Sequence, residues 1–155
     1  MGNNDCDIPQ QAGAIPWRWG SSGIEVLLIT SSQGSRWIVP KGWIEEGCTS
    51  KETARQETYE EAGVEGILSV APIGSLDFKR GDRVLRVELF TLEVTDVYAH
   101  WPEDYRRQRV WLDPREAALT ASEPGLARLI RTLESQLLAA PHRSGTARLV
   151  LSPAM

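Results

Sequence analysis

Three glutamates are spaced so that a helix would bring their side chains together. Glu57, Glu60 and Glu61 are three and four residues apart, and such positions share one face of an α-helix. Like charges on that face repel by about 0.2–0.5 kcal/mol per pair, and acids in a last helical turn also oppose the helix dipole. A divalent cation would offset both penalties, and carboxylate oxygens favour Mg²⁺ or Mn²⁺ over Zn²⁺. The alternative is a solvated acidic face.

The segment in front of these glutamates is a predicted loop that contains two glycines. It reads Pro40-Lys41-Gly42-Trp43-Ile44-Glu45-Glu46-Gly47, and glycine permits close approach of the backbone. An ammonium group at Lys41 would steady an anionic oxygen, although an ordinary surface lysine is the alternative. Carboxylates that hold a metal, beside a lysine that meets an anion, are what a metal-bridged phosphate site requires.

The elements that must position these residues follow from local patterns. Thr49 and Glu52 form a capping box, and Gly63 stands where a helix commonly ends, so a helix is predicted over residues 50–62. A second helix is predicted over residues 123–139 from an apolar stripe, and a helical turn is predicted after Pro114. The stripe consists of Leu126, Leu129, Ile130, Leu133 and Leu137.

Short apolar runs between turn residues predict strands. They cover residues 11–18, 23–30, 36–39, 67–78, 84–97 and 109–112. The turn Lys79-Arg80-Gly81-Asp82 predicts a hairpin between the two longer strands. The pattern indicates one α+β domain over residues 12–139, with a mobile leader at 1–11 and a C-terminal tail at 140–155.

Composition and charge exclude several classes of protein. Hydrophobic residues make up 41% and charged residues 25%, which is ordinary globular usage. The apolar runs are far shorter than the ~20 residues of a membrane span, no secretory signal is recognised, and two cysteines supply no disulfide framework. Seven of the 21 acids but only two of the 17 bases lie between Glu45 and Glu65. We expect a cytoplasmic protein with neither a membrane nor a nucleic acid as partner.

Residues 42–64 resemble the Nudix box, the signature of the Nudix hydrolases. The family pattern is Gly, five residues, Glu, seven residues, Arg-Glu, a hydrophobic residue, any residue, Glu-Glu, any residue, Gly and a hydrophobic residue. The matching positions are Gly42, Glu57, Glu60, Glu61, Gly63 and Val64. Three positions depart from the pattern, with Cys48 in place of Glu, Gln56 in place of Arg and Thr58 in place of a hydrophobic residue.

The resemblance implies that Glu57, Glu60 and Glu61 hold a divalent metal and carry the water chemistry, with the Gly42 carbonyl as a further ligand. All three acids are present, so a working site is expected. Gln56 cannot form the charge-assisted pair that an arginine would form. Replacing it with arginine would either restore that pair, or clash if the surroundings have repacked around glutamine.

The likeness extends beyond the signature to the diphosphoinositol-polyphosphate and diadenosine-polyphosphate hydrolases. It rests on residues 12–16, 25–29, 37–43 and 101–112 and spans Ala12 to Leu138. It implies the Nudix α/β/α sandwich, with a mixed sheet between helices.

A polyphosphate substrate needs cations beyond the metal. The candidate substrate-binding residues are Lys41, Arg18, Lys79 and Arg80, followed by Arg83, Arg106, Arg107 and Arg109. Trp43 follows Gly42 and is predicted to shape the substrate entrance. Charged hairpin tips that only confer solubility are the alternative for the basic clusters.

The predicted function is a Mg²⁺-dependent hydrolase, with Mn²⁺ as the alternative cation. It would cleave a phosphoanhydride linkage in a small-molecule polyphosphate, either a nucleoside polyphosphate or a diphosphoinositol polyphosphate. The departures at Cys48 and Gln56 keep open a second hypothesis, a catalytically impaired module that binds a nucleotide or phosphate. The oligomeric state is left open.

Overall fold

The computed structural model describes residues 8–140 and 147–151. The strands are β1 Gln11–Gly20, β2 Gly23–Thr30, β3 Trp37–Ile38, β4 Lys41–Trp43, β5 Val64–Leu68, β6 Gly74–Arg80, β7 Arg83–Tyr98, β8 Arg109–Leu112 and β9 Arg148–Val150. The helices are α1 Ser50–Ala62, α2 Pro114–Thr120 and α3 Pro124–Ala139.

The strands form one mixed sheet whose main path runs β3-β2-β1-β7-β5. Strand β1 pairs antiparallel with β2 and β4 but parallel with β7. Strand β7 also pairs with β5, β6 and β9. The sheet therefore holds the first strand and the signature segment side by side.

Helices cover both faces of this sheet because side chains alternate along β1. Ile15 and Trp17 pack in one core with Leu126 and other residues of α3. Ala12 and Ala14 belong to a second core, together with Ala54 of α1. The predicted α+β sandwich, a mixed sheet between helices, is confirmed.

Helix α1 begins and ends where the local signals predict. The Glu52 backbone N–H donates to Thr49 Oγ1 at 3.1 Å, which satisfies a donor at the helix start. Gly63 ends the helix with φ +67°, and its N–H donates to the Tyr59 carbonyl. These two caps determine where Glu57, Glu60 and Glu61 lie on α1.

Two predicted elements differ from the structure. The single strand predicted over residues 67–78 is divided into β5 and β6, because Ser69 turns the chain with a hydroxyl bond to the Ala71 carbonyl at 2.8 Å. The predicted loop at residues 40–47 contains the short strand β4, which pairs with the beginning of β1. This pairing is close, since a Cβ on Gly13 would lie 2.7 Å from Lys41 Cβ.

The predicted leader and tail lie mostly outside the described residues, which omit 1–7, 141–146 and 152–155. Gln11, at which the predicted leader and the first predicted strand overlap, is the first residue of β1. Residues 148–150, assigned to the tail, form β9 beside β7. Short segments of this kind lack the periodicity that marks a strand in a sequence. Within the ranges described, no helix has the length and apolar character to cross a bilayer.

Thr58 carries a hydroxyl group that the fold does not use. The residue is fully buried on α1, and its Oγ1 has no hydrogen-bond partner among the described residues. Replacing an unpaired buried hydroxyl with a methyl of similar shape removes a desolvation cost. We expect Thr58→Val to raise the free energy of unfolding by about 1 kcal/mol in urea denaturation.

The matched control is Thr58→Ser, which keeps the hydroxyl and deletes one methyl. It should lower the free energy of unfolding by about 1 kcal/mol. A valine variant less stable than wild type would show that the hydroxyl is paired in solution.

Candidate active site

Glu57 lies against the backbone of Gly42, where α1 meets β4. A Cβ at position 42 would stand 2.6 Å and 2.7 Å from the two carboxylate oxygens of Glu57. Real Cβ atoms do not approach other atoms so closely, so only glycine leaves room for this carboxyl group. Gly42 and Glu57 of the signature therefore fit each other in shape.

Glu61 is held at both carboxylate oxygens. The Lys41 backbone N–H donates to its Oε1 at 3.2 Å, and Arg107 Nη2 donates to its Oε2 at 3.2 Å. The residue is only 5% exposed. Its carboxyl group thus has a defined position next to β4.

Arg107 connects this carboxylate to two other parts of the fold. Its side chain donates to the Thr30 carbonyl at 2.9 Å and to Glu103 Oε1 at 3.1 Å. The Glu103 backbone N–H in turn donates to the Glu60 carbonyl. The sequence proposes Arg107 as a substrate cation, whereas the structure shows it buried and paired with glutamates.

Glu60 and two of the three positions that depart from the signature, Gln56 and Cys48, face solvent more than Glu61 does. Gln56 Nε2 donates to Glu60 Oε1 at 3.0 Å, and Gln56 is exposed. An arginine at position 56 has room to replace it, so the structure favours restored pairing over a clash. Cys48 is exposed as well.

The pKa values of two of these carboxyl groups lie far above their ordinary value. Burial chiefly raises the pKa of Glu57 to about 7, and the charges of Glu60 and Glu103 add to the shift. Burial also raises the pKa of Glu61 to about 7, although Arg107 and the Lys41 N–H act in the opposite direction. Both groups can therefore exchange protons near neutral pH.

These residues fit a divalent cation by their chemistry. In the portion of the chain described, no three acidic, histidine or cysteine side chains are already gathered as metal ligands. The donors near Glu57 are all oxygens, which suits Mg²⁺ or Mn²⁺. The charges of Glu60, Glu103 and Glu45 raise the pKa of Glu57, and a cation would neutralise this excess negative charge.

A cleft of about 270 Å³ opens beside Glu61. It is lined by Gln11, Ser31, Ser32, Arg36, Ile38, Lys41, Glu61, Phe78, Leu85, Arg107 and Glu123. Lys41 stands between two acids, because its backbone N–H meets Glu61 while its Nζ lies 3.5 Å from Glu123 Oε1. The cleft is therefore lined by one glutamate of the signature, Glu61, and by a second buried carboxyl group, that of Glu123.

The predicted substrate-binding residues are only partly brought together. Lys41 lines the cleft, but Trp43, which is 61% exposed, does not. Arg18 donates to Glu25 Oε1 at 2.8 Å and stacks on Trp111, and Lys79 is exposed on β6. Arg80 closes the β6–β7 hairpin opposite Arg83.

Sequence reasoning did not find Glu123 as a residue of the site. It marks the predicted start of a helix, and nothing local distinguishes it from an ordinary cap. The sequence did contain a signal for the pairing of Arg107 with a glutamate. Position 56 lacks the arginine of the signature, which leaves the signature glutamates without a cation.

Comparison with known proteins assigns this chain to a family. The NUDIX domain family matches residues 10–133. The chain belongs to the Nudix hydrolase family. Among its relatives is Nudix hydrolase 16, mitochondrial, of Arabidopsis thaliana, which is 34% identical over 131 residues, or 73% of this chain and 72% of the relative. The enzyme class is therefore that of a Nudix-type pyrophosphohydrolase.

A second relative matches a shorter stretch of the chain, and a solved structure shares its fold. Diphosphoinositol polyphosphate phosphohydrolase 2 of Rattus norvegicus is 36% identical over 96 residues, or 60% of this chain and 52% of the relative. The fold of the Ap4A hydrolase from C. elegans superposes with a TM-score of 0.67 at 20% identity, over 84% of this chain and 98% of that one. The chain spans about half the length of several relatives that it matches.

The close approach of Gly42 and Glu57 gives a direct test of the site. We expect Gly42→Ala to displace the Glu57 carboxyl and lower turnover by about tenfold or more, because small misplacements at a reacting centre are costly. The free energy of unfolding should change little, since the displaced atoms end a flexible side chain.

Gly20→Ala is the matched control, because a Cβ there would lie 2.6 Å from the Glu25 carboxyl carbon. Gly20 is at one end of β1, and the residues that pair with β4 are at the other end. Steady-state kinetics should show wild-type turnover for Gly20→Ala. An equal loss in both variants would contradict the assignment of Gly42 and Glu57.

Proposed function

We propose that this Nudix protein hydrolyses a phosphoanhydride linkage in a nucleoside polyphosphate or a diphosphoinositol polyphosphate, and that it requires Mg²⁺, which Mn²⁺ can replace. The observation that carries the proposal is the placement of Glu61. Its carboxyl group is held at both oxygens and lines the cleft. Burial raises its pKa to about 7, and the charge of Glu57 adds to the shift.

The residues that would hold the cation are Glu57, Glu60 and Glu61, with the Gly42 carbonyl. When bound, such a cation supplies charge neutralisation on the diphosphate and lowers the pKa of a bound water. The names of the rat and C. elegans relatives support a polyphosphate as the substrate. A cytoplasmic location and the absence of a nucleic-acid partner stay predictions.

The protein's own groups account for the remaining chemistry. Glu57 or a neighbouring carboxylate would orient the attacking water or take its proton. The water oxygen forms a bond to phosphorus while the bridging oxygen leaves with the departing phosphate. Arg107 and the Lys41 N–H keep Glu61 oriented during this exchange.

The test measures release of the cleavage products from the purified chain by ion-exchange chromatography, because cleavage of a dinucleoside tetraphosphate yields two mononucleotides and no free phosphate. Diadenosine tetraphosphate and a diphosphoinositol pentakisphosphate are each supplied with Mg²⁺, with Mn²⁺ and with a chelator. We expect release with either metal and none with the chelator. Binding of both compounds without release under any metal would overturn the hydrolase proposal and favour the binding module.

The raised pKa values predict how pH affects the stability of the metal-free protein. The ordinary pKa of a glutamate is 4.5, and the folded-state pKa of Glu57 and Glu61 is about 7. The folded state therefore holds these protons more tightly than the unfolded chain. The contribution of these protons to the free energy of unfolding is complete below pH 4.5, decreases as pH rises, and is lost above about pH 7.

We expect the Tm of the metal-free protein to fall between pH 5.5 and pH 8, and Mg²⁺ to raise Tm more at pH 8. The double variant Glu57→Gln, Glu61→Gln is the control, because it lacks both titrating groups. If the Tm of the double variant depends on pH as strongly as that of the wild type, protonation of Glu57 and Glu61 is not the cause of the pH dependence.

A further inference from the structure

The last turn of α1 ends in carbonyl groups that the helix itself does not satisfy. An α-helix leaves its last four carbonyls without a donor of its own, and the last turn of α1 contains no basic residue. Glu60 and Glu61 in that turn instead add negative charge where the helix dipole is already negative. The donors that this helix end needs must therefore come from elsewhere in the chain.

Two side chains that follow β7 in the chain supply these donors. Trp101 Nε1 donates to the Glu61 carbonyl at 3.0 Å. Arg109 Nη1 donates to the Ala62 carbonyl at 3.0 Å and to the Gly63 carbonyl at 3.2 Å. Together they satisfy the carbonyls of three consecutive residues at the end of α1. We call Trp101 and Arg109 the α1 clamp.

The two residues of the α1 clamp also hold each other. Arg109 Cζ lies 4.0 Å from the centroid of the Trp101 ring, which is a cation–π contact. A Cβ on Gly63 would stand 2.7 Å from Arg109 Nη1 and 2.7 Å from Trp101 Cγ. The glycine that ends α1 therefore also leaves the room in which the clamp reaches the helix.

Arg109 directs its donors at the protein rather than at a substrate. The sequence proposes this residue as a cation for a polyphosphate. In the structure it is half-buried, and its second terminal nitrogen donates to the Tyr98 carbonyl. Neither Arg109 nor Trp101 lines the cleft beside Glu61. The role of the α1 clamp must therefore be sought in the helix that it holds.

The same part of the chain holds Glu61 by its side chain as well. Arg107 Nη2 donates to Glu61 Oε2 at 3.2 Å, while Trp101 holds the carbonyl of the same residue. The last turn of a helix frays readily, and a shift of that turn would move the carboxylates of both Glu60 and Glu61. Small misplacements at a reacting centre are costly.

We propose that Trp101 and Arg109 are positioning residues for the metal site. By holding the last turn of α1 in place, they fix the directions in which Glu60 and Glu61 present their carboxylates to a divalent cation. The inference rests on the proposed function, and it gives the α1 clamp no contact with the substrate.

The test uses Trp101→Phe, which keeps a ring beneath Arg109 but lacks the N–H, and Arg109→Lys, which keeps the charge but lacks the fork. Trp111→Phe is the matched control. Trp111 also carries an arginine, Arg18, 3.8 Å from its ring centroid, but its N–H has no partner on α1 among the described residues.

Two quantities are measured on each protein. The dissociation constant of Mn²⁺ without substrate is obtained from the electron paramagnetic resonance signal of free Mn²⁺. The kcat and KM for diadenosine tetraphosphate are obtained at saturating Mg²⁺. Circular dichroism checks that each variant is folded at the assay temperature.

We expect both variants of the α1 clamp to bind Mn²⁺ about tenfold more weakly, the size of losing a residue that orients metal ligands. Their kcat should fall about tenfold as well, because the carboxylates are misplaced, while KM stays unchanged. Trp111→Phe should keep the Mn²⁺ affinity and the kcat of the wild type.

A lower Tm in Trp101→Phe, with the Mn²⁺ affinity and kcat of the wild type, would overturn the proposal, because the clamp would then serve stability alone. A higher KM at unchanged kcat in Arg109→Lys would also overturn it and return Arg109 to substrate binding. Weaker Mn²⁺ binding in both clamp variants but not in Trp111→Phe, without hydrolysis by any protein, would contradict the proposed reaction and support the clamp.

Discussion

Glu61→Gln is expected to lower turnover by at least ~10²-fold, a size typical of losing an electrostatic or proton-transfer group. The amide keeps the shape of the side chain and can still accept from the Lys41 N–H. It cannot carry the negative charge that a divalent cation requires. Steady-state rates at saturating Mg²⁺, with circular dichroism as a check of the fold, measure the effect.

The same substitution should lower the Tm of the metal-free protein at pH 8, although burial raises the pKa of Glu61 to about 7. An amide oxygen that accepts from the Lys41 N–H leaves the amide nitrogen facing Arg107 Nη2, so two donors meet and the buried guanidinium loses its anionic partner. Glu46→Gln is the control, an exposed acid just before α1 that should change neither rate nor Tm. Activity of Glu61→Gln within twofold of wild type would show that the metal-site assignment is wrong.

Arg107→Met is expected to cause the largest loss of stability. Its side chain and that of Glu61 are each 7% exposed, and removing one partner of a buried ion pair costs about 3–5 kcal/mol. The loss should be larger at pH 8 than at pH 5.5, because Glu61 is protonated at the lower pH and then needs the cation less. Urea denaturation at the two pH values measures both effects.

Arg106→Met is the control for this experiment. Arg106 also pairs with Glu103, but its side chain is 43% exposed, and exposed ion pairs contribute about 0–1 kcal/mol. If Arg107→Met costs no more than Arg106→Met at pH 8, Arg107 does not stabilise Glu61. Arg107→Lys should recover part of the loss, since it keeps the charge but lacks the fork that reaches both Glu61 and Thr30.

Short-range patterns account for the elements that could be predicted. The capping box at Thr49 and Glu52 and the glycine at position 63 act within a few residues, so the bounds of α1 follow from the chain alone. The run of β7 alternates along its own length, and β8 matches its predicted bounds. The division of residues 67–78 could not be predicted in this way, because the bond from Ser69 to Ala71 leaves no trace in hydrophobic periodicity.

The sequence by itself determined the family and the shared helix face of Glu57, Glu60 and Glu61. Their spacing places them on one face of a helix independently of the rest of the chain. Only the tertiary structure showed that Gly42 makes room for Glu57. It alone brought Arg107 to Glu61, 46 positions away, and Glu123 to Lys41, 82 positions away. Such partners meet through sheet pairing and helix packing, which depend on the whole core, so no local pattern encodes them.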